Sequence, residues 1–173
     1  MKRTLALIAI SALAFCQVAA AAPTKTTVSP AKAGPKAAAS RPAAPGDAIA
    51  KAKALFARYV QLEHAFDPAM ADLYTDDAKI LNKRIYSDGK VTPLQIPALR
   101  YKHVIREGMA DAKVKGDISN YSNESYTQEG DKVRIKVTRY SVLKKYSSPM
   151  SLLVGPDAQG KWVILEETSE SRL

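Results

Sequence analysis

The sequence predicts an α+β domain in which early helices lie on one face of a curved antiparallel sheet. Three observations predict it. Helical periodicity is concentrated early, between Asp47 and Gly116, and strand-like alternation late, from Ile118 to Ser169. Helices and strands segregated along a chain favour α+β over an alternating α/β fold. Within the strand region the apolar parity changes phase near Thr138-Arg139, which predicts a β-bulge and a bent sheet.

Asp47 suits an N-cap, and Ile49, Ala52, Phe56, Tyr59 and Glu63 follow at helical spacing to about Ala65. Asp67-Pro68 restarts a short helix, since Asp caps and Pro fits the first turn; Met70, Leu73 and Tyr74 share its face. Lys79 to Tyr86 reads as a strand closed by the turn signal Asp88-Gly89. Pro93 and Pro97 are expected to break the next segment. A third helix starts at Ala98, carries Tyr101, Ile105, Met109 and Ala112 on one face, and stops at Gly116. Strands follow at 118–127, across the Glu129-Gly130 turn from Val133, Ile135 and Val137, then at 150–154. Pro156 to Gly160 turns into a last strand, 161–169.

Ahead of this domain lies an export signal. Lys2 and Arg3, the apolar run Leu5 to Val18 and the small residues Ala19 to Ala22 are the three parts of a secretory signal peptide. The apolar run is about 14 residues, short of the roughly 20 that span a bilayer as a helix. Cleavage after Ala21 is expected, leaving no transmembrane segment and placing the mature protein in the periplasm or outside the cell. Cys16 has the bulky Phe15 before it, a poor site for lipidation. Its loss with the signal leaves no cysteine for a disulfide or a thiolate metal site.

Residues 22–46 are rich in Ala, Pro, Lys, Thr and Ser and hold too few large apolar side chains to fold, so they read as a disordered linker. Lys25, Lys32, Lys36 and Arg41 have no acid among them and allow weak attraction to anionic envelope material. The chain carries +9 overall. Setting aside Lys2, Arg3 and those four, residues 47–173 hold 20 basic and 17 acidic side chains, a net +3. The high isoelectric point therefore belongs to the ends, and a nucleic-acid partner is not expected. The expected organisation is a signal peptide at 1–21, the linker at 22–46 and one domain at 47–173.

The order of elements, together with Arg58-Tyr59-Val60, Leu73-Tyr74-Thr75-Asp76-Asp77-Ala78, Asp88-Gly89 and Gly160-Lys161-Trp162-Val163-Ile164, resembles the nuclear transport factor 2-like superfamily, which includes SnoaL-like proteins and ketosteroid isomerase. The likeness covers roughly residues 48–170. It implies a cone: a bent sheet wrapped around N-terminal helices with a pocket between. It also implies that Tyr59 stands where ketosteroid isomerase has an oxyanion-donating Tyr. The base position of that enzyme falls on Asn82 and its second donor on Leu152, neither of which can do that work. The resemblance thus implies the fold and argues against that activity.

The main expectation is a non-catalytic protein binding a small, partly apolar molecule in the cone. Its pocket candidates are Tyr59, Tyr74, Asn82, Tyr86, Tyr126, Leu152, Leu165, Glu167 and Ser169. On the last strand Val163, Leu165, Glu167 and Ser169 are expected on one face, which the resemblance turns inward. A small lyase, isomerase or hydrolase is the alternative, with Glu167 or His103 as acid or base. A third reading is an interaction module or a homodimer through the sheet. Lys132, Arg134, Lys136, Arg139, Lys144 and Lys145 read as a solubilising outer face. Two histidines without ligands at metal-site spacing predict no metal, and nothing in the sequence calls for a cofactor.

Overall fold

The computed structural model describes residues 45–172. The expected signal peptide, Cys16 and nearly all of the expected linker lie outside them. Helix α1 (Pro45–Ala65) is followed by a 3-10 turn (Pro68–Leu73), strands β1 (Tyr74–Ile85) and β2 (Val91–Ile96), helix α2 (Ala98–Lys115), and strands β3 (Ser119–Glu129), β4 (Lys132–Ser141), β5 (Tyr146–Pro156) and β6 (Trp162–Arg172). The six strands form one sheet in the order β2-β1-β6-β5-β4-β3. Every neighbouring pair is antiparallel except β1 and β6, which run parallel and so bring the first and last strands together.

Local chemistry sets the element ends. The helix α1 begins at Pro45, and Asp47 serves in its first turn as the i,i+4 partner of Lys51 rather than as the cap. The Asp67 carboxylate accepts from the Ala69 N–H at 2.8 Å and starts the 3-10 turn. Gly116 ends α2 in the left-handed conformation, φ 63°, and its N–H reaches the last-turn carbonyls. Pro93 does not break its segment: β2 is the sheet's edge, where a missing N–H costs no ladder bond, and Pro93 pairs with Lys83.

One concave face of the sheet packs on α1, with Ile80, Ile135, Leu152, Ile164, Val133 and Val154 fully buried. Phe56, Tyr59 and Leu62 meet them from the helix. The helix α2 is tied to the entry of β1. The Lys102 ammonium donates to the Tyr74 carbonyl at 3.2 Å and to Asp76 at 2.5 Å, and Arg106 pairs with Asp72 at 2.6 Å.

Three register irregularities interrupt the sheet, in β3, in β6 and in β1 between Tyr74 and Lys79, and none lies in β4. The register of β4 on β5 is unbroken from Val133 to Ser141. The extra residue is in the neighbouring strand β3, between Ser122 and Ser125, where Asn123 takes φ 55°. The second irregularity is at Leu165 in β6. Val154 pairs with Ile164 and Leu153 with Glu166, so Leu165 and Glu166 fall on the same side. Glu167 and Ser169 therefore share the inner face with Ile164, while Val163 and Leu165 belong to the outer one. The expected common face of Val163, Leu165, Glu167 and Ser169 is split by this bulge.

Among the described residues no helix is long and apolar enough to cross a membrane.

Candidate functional site

Toward the open end of the cone the inner face changes from apolar to polar. On β4 the inward series runs Val133, Ile135, Val137, Arg139, Ser141 without a break in alternation. On β6 it runs Ile164, Glu167, Ser169, Ser171, and on β1 Ile80 gives way to Asn82. These polar positions, with Ser119, Tyr101, Ile96, Asp117, Lys144 and Tyr146, enclose a cavity of about 240 Å³. The parity change near Thr138-Arg139 was thus a change of chemistry, not of register. Arg139 turns inward, away from the outer face expected for it.

Glu167 is the most deeply buried charge of this cavity, 3% exposed. The Tyr74 hydroxyl donates to its Oε2 at 2.5 Å and the Tyr101 hydroxyl to its Oε1 at 3.0 Å. The two tyrosine rings meet edge to face with centroids 5.4 Å apart. Each partner comes from a different element: Tyr74 from the first residue of β1, Tyr101 from the first turn of α2, Glu167 from beyond the β6 bulge. Two charge-assisted hydrogen bonds fix the carboxylate in place. Burial, and next the neighbouring Glu167 charge, push the Tyr74 and Tyr101 hydroxyls well above the ordinary tyrosine range, so both remain donors at any physiological pH.

The Asn82 amide bridges two serines of β6. Its Nδ2 donates to Ser169 Oγ at 3.1 Å, and its Oδ1 accepts from Ser171 Oγ at 2.7 Å. This orientation follows from the parallel pairing, which sets Asn82 opposite Ser169. Arg139 forms another wall. Its Nη2 donates to the Glu170 carbonyl at 2.9 Å, and its Nε is buried without a hydrogen-bond partner.

A second tyrosine–glutamate pair, half-buried, joins α1 to β3. The Tyr121 hydroxyl donates to Glu63 Oε2 at 2.8 Å, and Tyr121 stands edge-on to Phe56 and Tyr59. Burial raises the Glu63 carboxyl above its ordinary value, against Tyr121, Ser119, His64 and Arg139, which favour the anion.

Of the residues the sequence nominated, Asn82, Glu167 and Ser169 line the cavity. Tyr74 stands behind Glu167 as its donor. Tyr59 is stacked on Phe56 in the core, and burial holds its hydroxyl well above the ordinary range. Leu152 is core, 1% exposed. Leu165 faces out because of the bulge, and Tyr86 is exposed beyond the end of β1. Tyr126 lies under the Lys53 ammonium in a separate groove with Phe56 and Val60. His103 is exposed on α2 and does not line the cavity. Tyr101 and Arg139 were missed. Both carry polar ends on faces whose other members are apolar, and that contrast was the available signal.

Among the described residues no cluster of His, Cys, Asp and Glu could hold a metal ion.

No protein-family model matches the chain, and no curated protein matches it. Solved structures do. A nuclear transport factor 2-like protein of unknown function from Pseudomonas putida aligns at TM-score 0.57 with 11% identity, over 73% of this chain and 87% of that one. One from Silicibacter pomeroyi aligns at TM-score 0.53 with 17% identity, over 73% of this chain and 98% of that one. A nuclear transport factor 2-like protein with a cystatin-like fold from Novosphingobium aromaticivorans aligns at TM-score 0.52 with 15% identity, over 72% and 81%. The curved sheet, its parallel pairing of β1 with β6 and these likenesses agree: this chain has the nuclear transport factor 2-like, cystatin-like fold.

Proposed function

We propose that this domain is a binding protein, exported from the cytoplasm, that holds a small polar molecule in the open end of its cone. The observation that carries the reading is the polar inner face. A sheet face that is apolar at Val133, Ile135 and Val137 turns into Arg139 and Ser141 on β4, and β6 presents Glu167, Ser169 and Ser171 to the same cavity. Buried polar groups cost stability unless they are partnered, so a face that collects them in a cavity supports ligand recognition over plain core packing. The ligand chemistry differs from the partly apolar molecule expected from the tyrosines, because Tyr59 and Tyr126 stand away from the cavity.

Glu167 inside the cavity also supports a second reading, an acid–base enzyme. Binding is preferred because both carboxylate oxygens already accept tyrosine hydroxyls. The export reading rests on Lys2, Arg3 and the apolar run before Ala19.

Native mass spectrometry of the protein taken from its source cells tests the binding reading. The expected result is a retained small molecule that is lost when half-buried Ser171 is enlarged, Ser171→Phe. A spectrum showing only bare protein for both chains, with ligand-observed NMR equally silent on polar fragments, overturns it.

A further inference from the structure

We propose that the molecule taken by this cavity is a small monocarboxylate whose other end carries an O–H or N–H donor. This rests on the binding reading above and names its ligand class. Arg139 stands at the cavity wall with donors unused. Its guanidinium is half-buried on the cavity wall, and among the described residues it meets no carboxylate within 4.0 Å. A guanidinium has five N–H donors. One hydrogen bond is made here, to the Glu170 carbonyl. The Nε is buried and unpartnered, and so is the Oγ of Ser148, which lies directly across the β4–β5 pair and is 3% exposed.

The Glu63 and Glu167 carboxylates favour the Arg139 charge, but neither pairs with it directly, so its desolvated donors are left unused and an anionic ligand supplies the direct pairing. The planar fork of the guanidinium matches the two oxygens of a carboxylate. Lys144, exposed at the cavity edge, adds attraction for an incoming anion. The far end is set by Glu167. It repels a second negative charge, which disfavours dicarboxylates and phosphate dianions. Its oxygens each accept one tyrosine hydroxyl and retain capacity to accept from a ligand donor. A cavity of about 240 Å³ holds a molecule of up to about ten heavy atoms beside these groups.

Three probes of nearly equal size separate the parts of this proposal. L-lactate has the carboxylate and the hydroxyl, propionate lacks the hydroxyl, and 1,2-propanediol lacks the charge. Titration of the full chain by protein-observed NMR is expected to rank them lactate, then propionate, then propanediol. Arg139→Gln is expected to weaken lactate by about tenfold or more, the effect of losing a charged hydrogen bond. Should that variant not fold, the ranking on the unaltered protein still decides. Propanediol binding as tightly as lactate, or inorganic phosphate binding more tightly, overturns the carboxylate assignment and leaves the cavity reading standing. Silence from all the probes at millimolar concentration overturns the carboxylate assignment. Silence together with bare protein in the native mass spectrum overturns both.

Discussion

At Glu167 the domain buries a carboxylate among hydroxyls, not beside a cation. Tyr74 and Tyr101 satisfy one oxygen each, so removing a donor strips a buried charge of half its support. Tyr74→Phe is expected to cost about 1–3 kcal/mol in urea unfolding; an unchanged midpoint would show that this contact contributes nothing. Glu63 behaves differently, because burial holds its carboxyl above the ordinary 4.5. The native state then keeps a proton that the unfolded chain has released. Its contribution to stability is full below the unfolded value and is lost as pH rises through the higher folded one. Glu63→Gln removes that loss, so the variant should gain on the parent as pH rises above the ordinary 4.5. A stability difference that is flat, or that falls with pH, would contradict the shift. At this scale the sequence was partly legible. The carboxylate on the last strand and the amide at Asn82 could be named from order and resemblance. Arg139 could not, because a basic residue in a strand of basic residues looks like a solvated face until the inward parity is followed past Val137.

The elements were the most legible scale wherever a local signal sets them. Asp67 capping its turn, Gly116 ending α2 and Gly130 turning β3 into β4 are all short-range chemistry. The β6 bulge was not, since it is defined by pairing with β5 and not by the β6 sequence. Gly155 lies beside it, opposite Val163, and a Cβ there would come within 2.8 Å of Lys132 Cγ and 3.2 Å of Leu165 Cδ1. Gly155→Ala is therefore expected to cost about 1–2 kcal/mol by overpacking the outer face. Thermal unfolding at or above the parent's midpoint would show that Leu165 and Lys132 move aside freely.

For the whole molecule, the α+β class and the curved sheet followed from where helical and strand periodicities fall along the chain. The parallel contact of β1 with β6 did not, because Asn82 and Ser169 are brought together by a long-range strand pairing that no local pattern records. That pairing joins the hydroxyls of β6 to Asn82 on one side of the cavity, while β5 and β4 lead from β6 to Arg139 on the other. The central claim is that this space is occupied by a small polar ligand. The most direct measurement is a high-resolution electron-density map of the protein crystallised as it comes from its source cells. The account predicts density for a small molecule in contact with the Arg139 guanidinium and within hydrogen-bond reach of Glu167. A cavity filled by its own side chains, with Arg139 turned out to solvent or paired with a protein carboxylate, would contradict it.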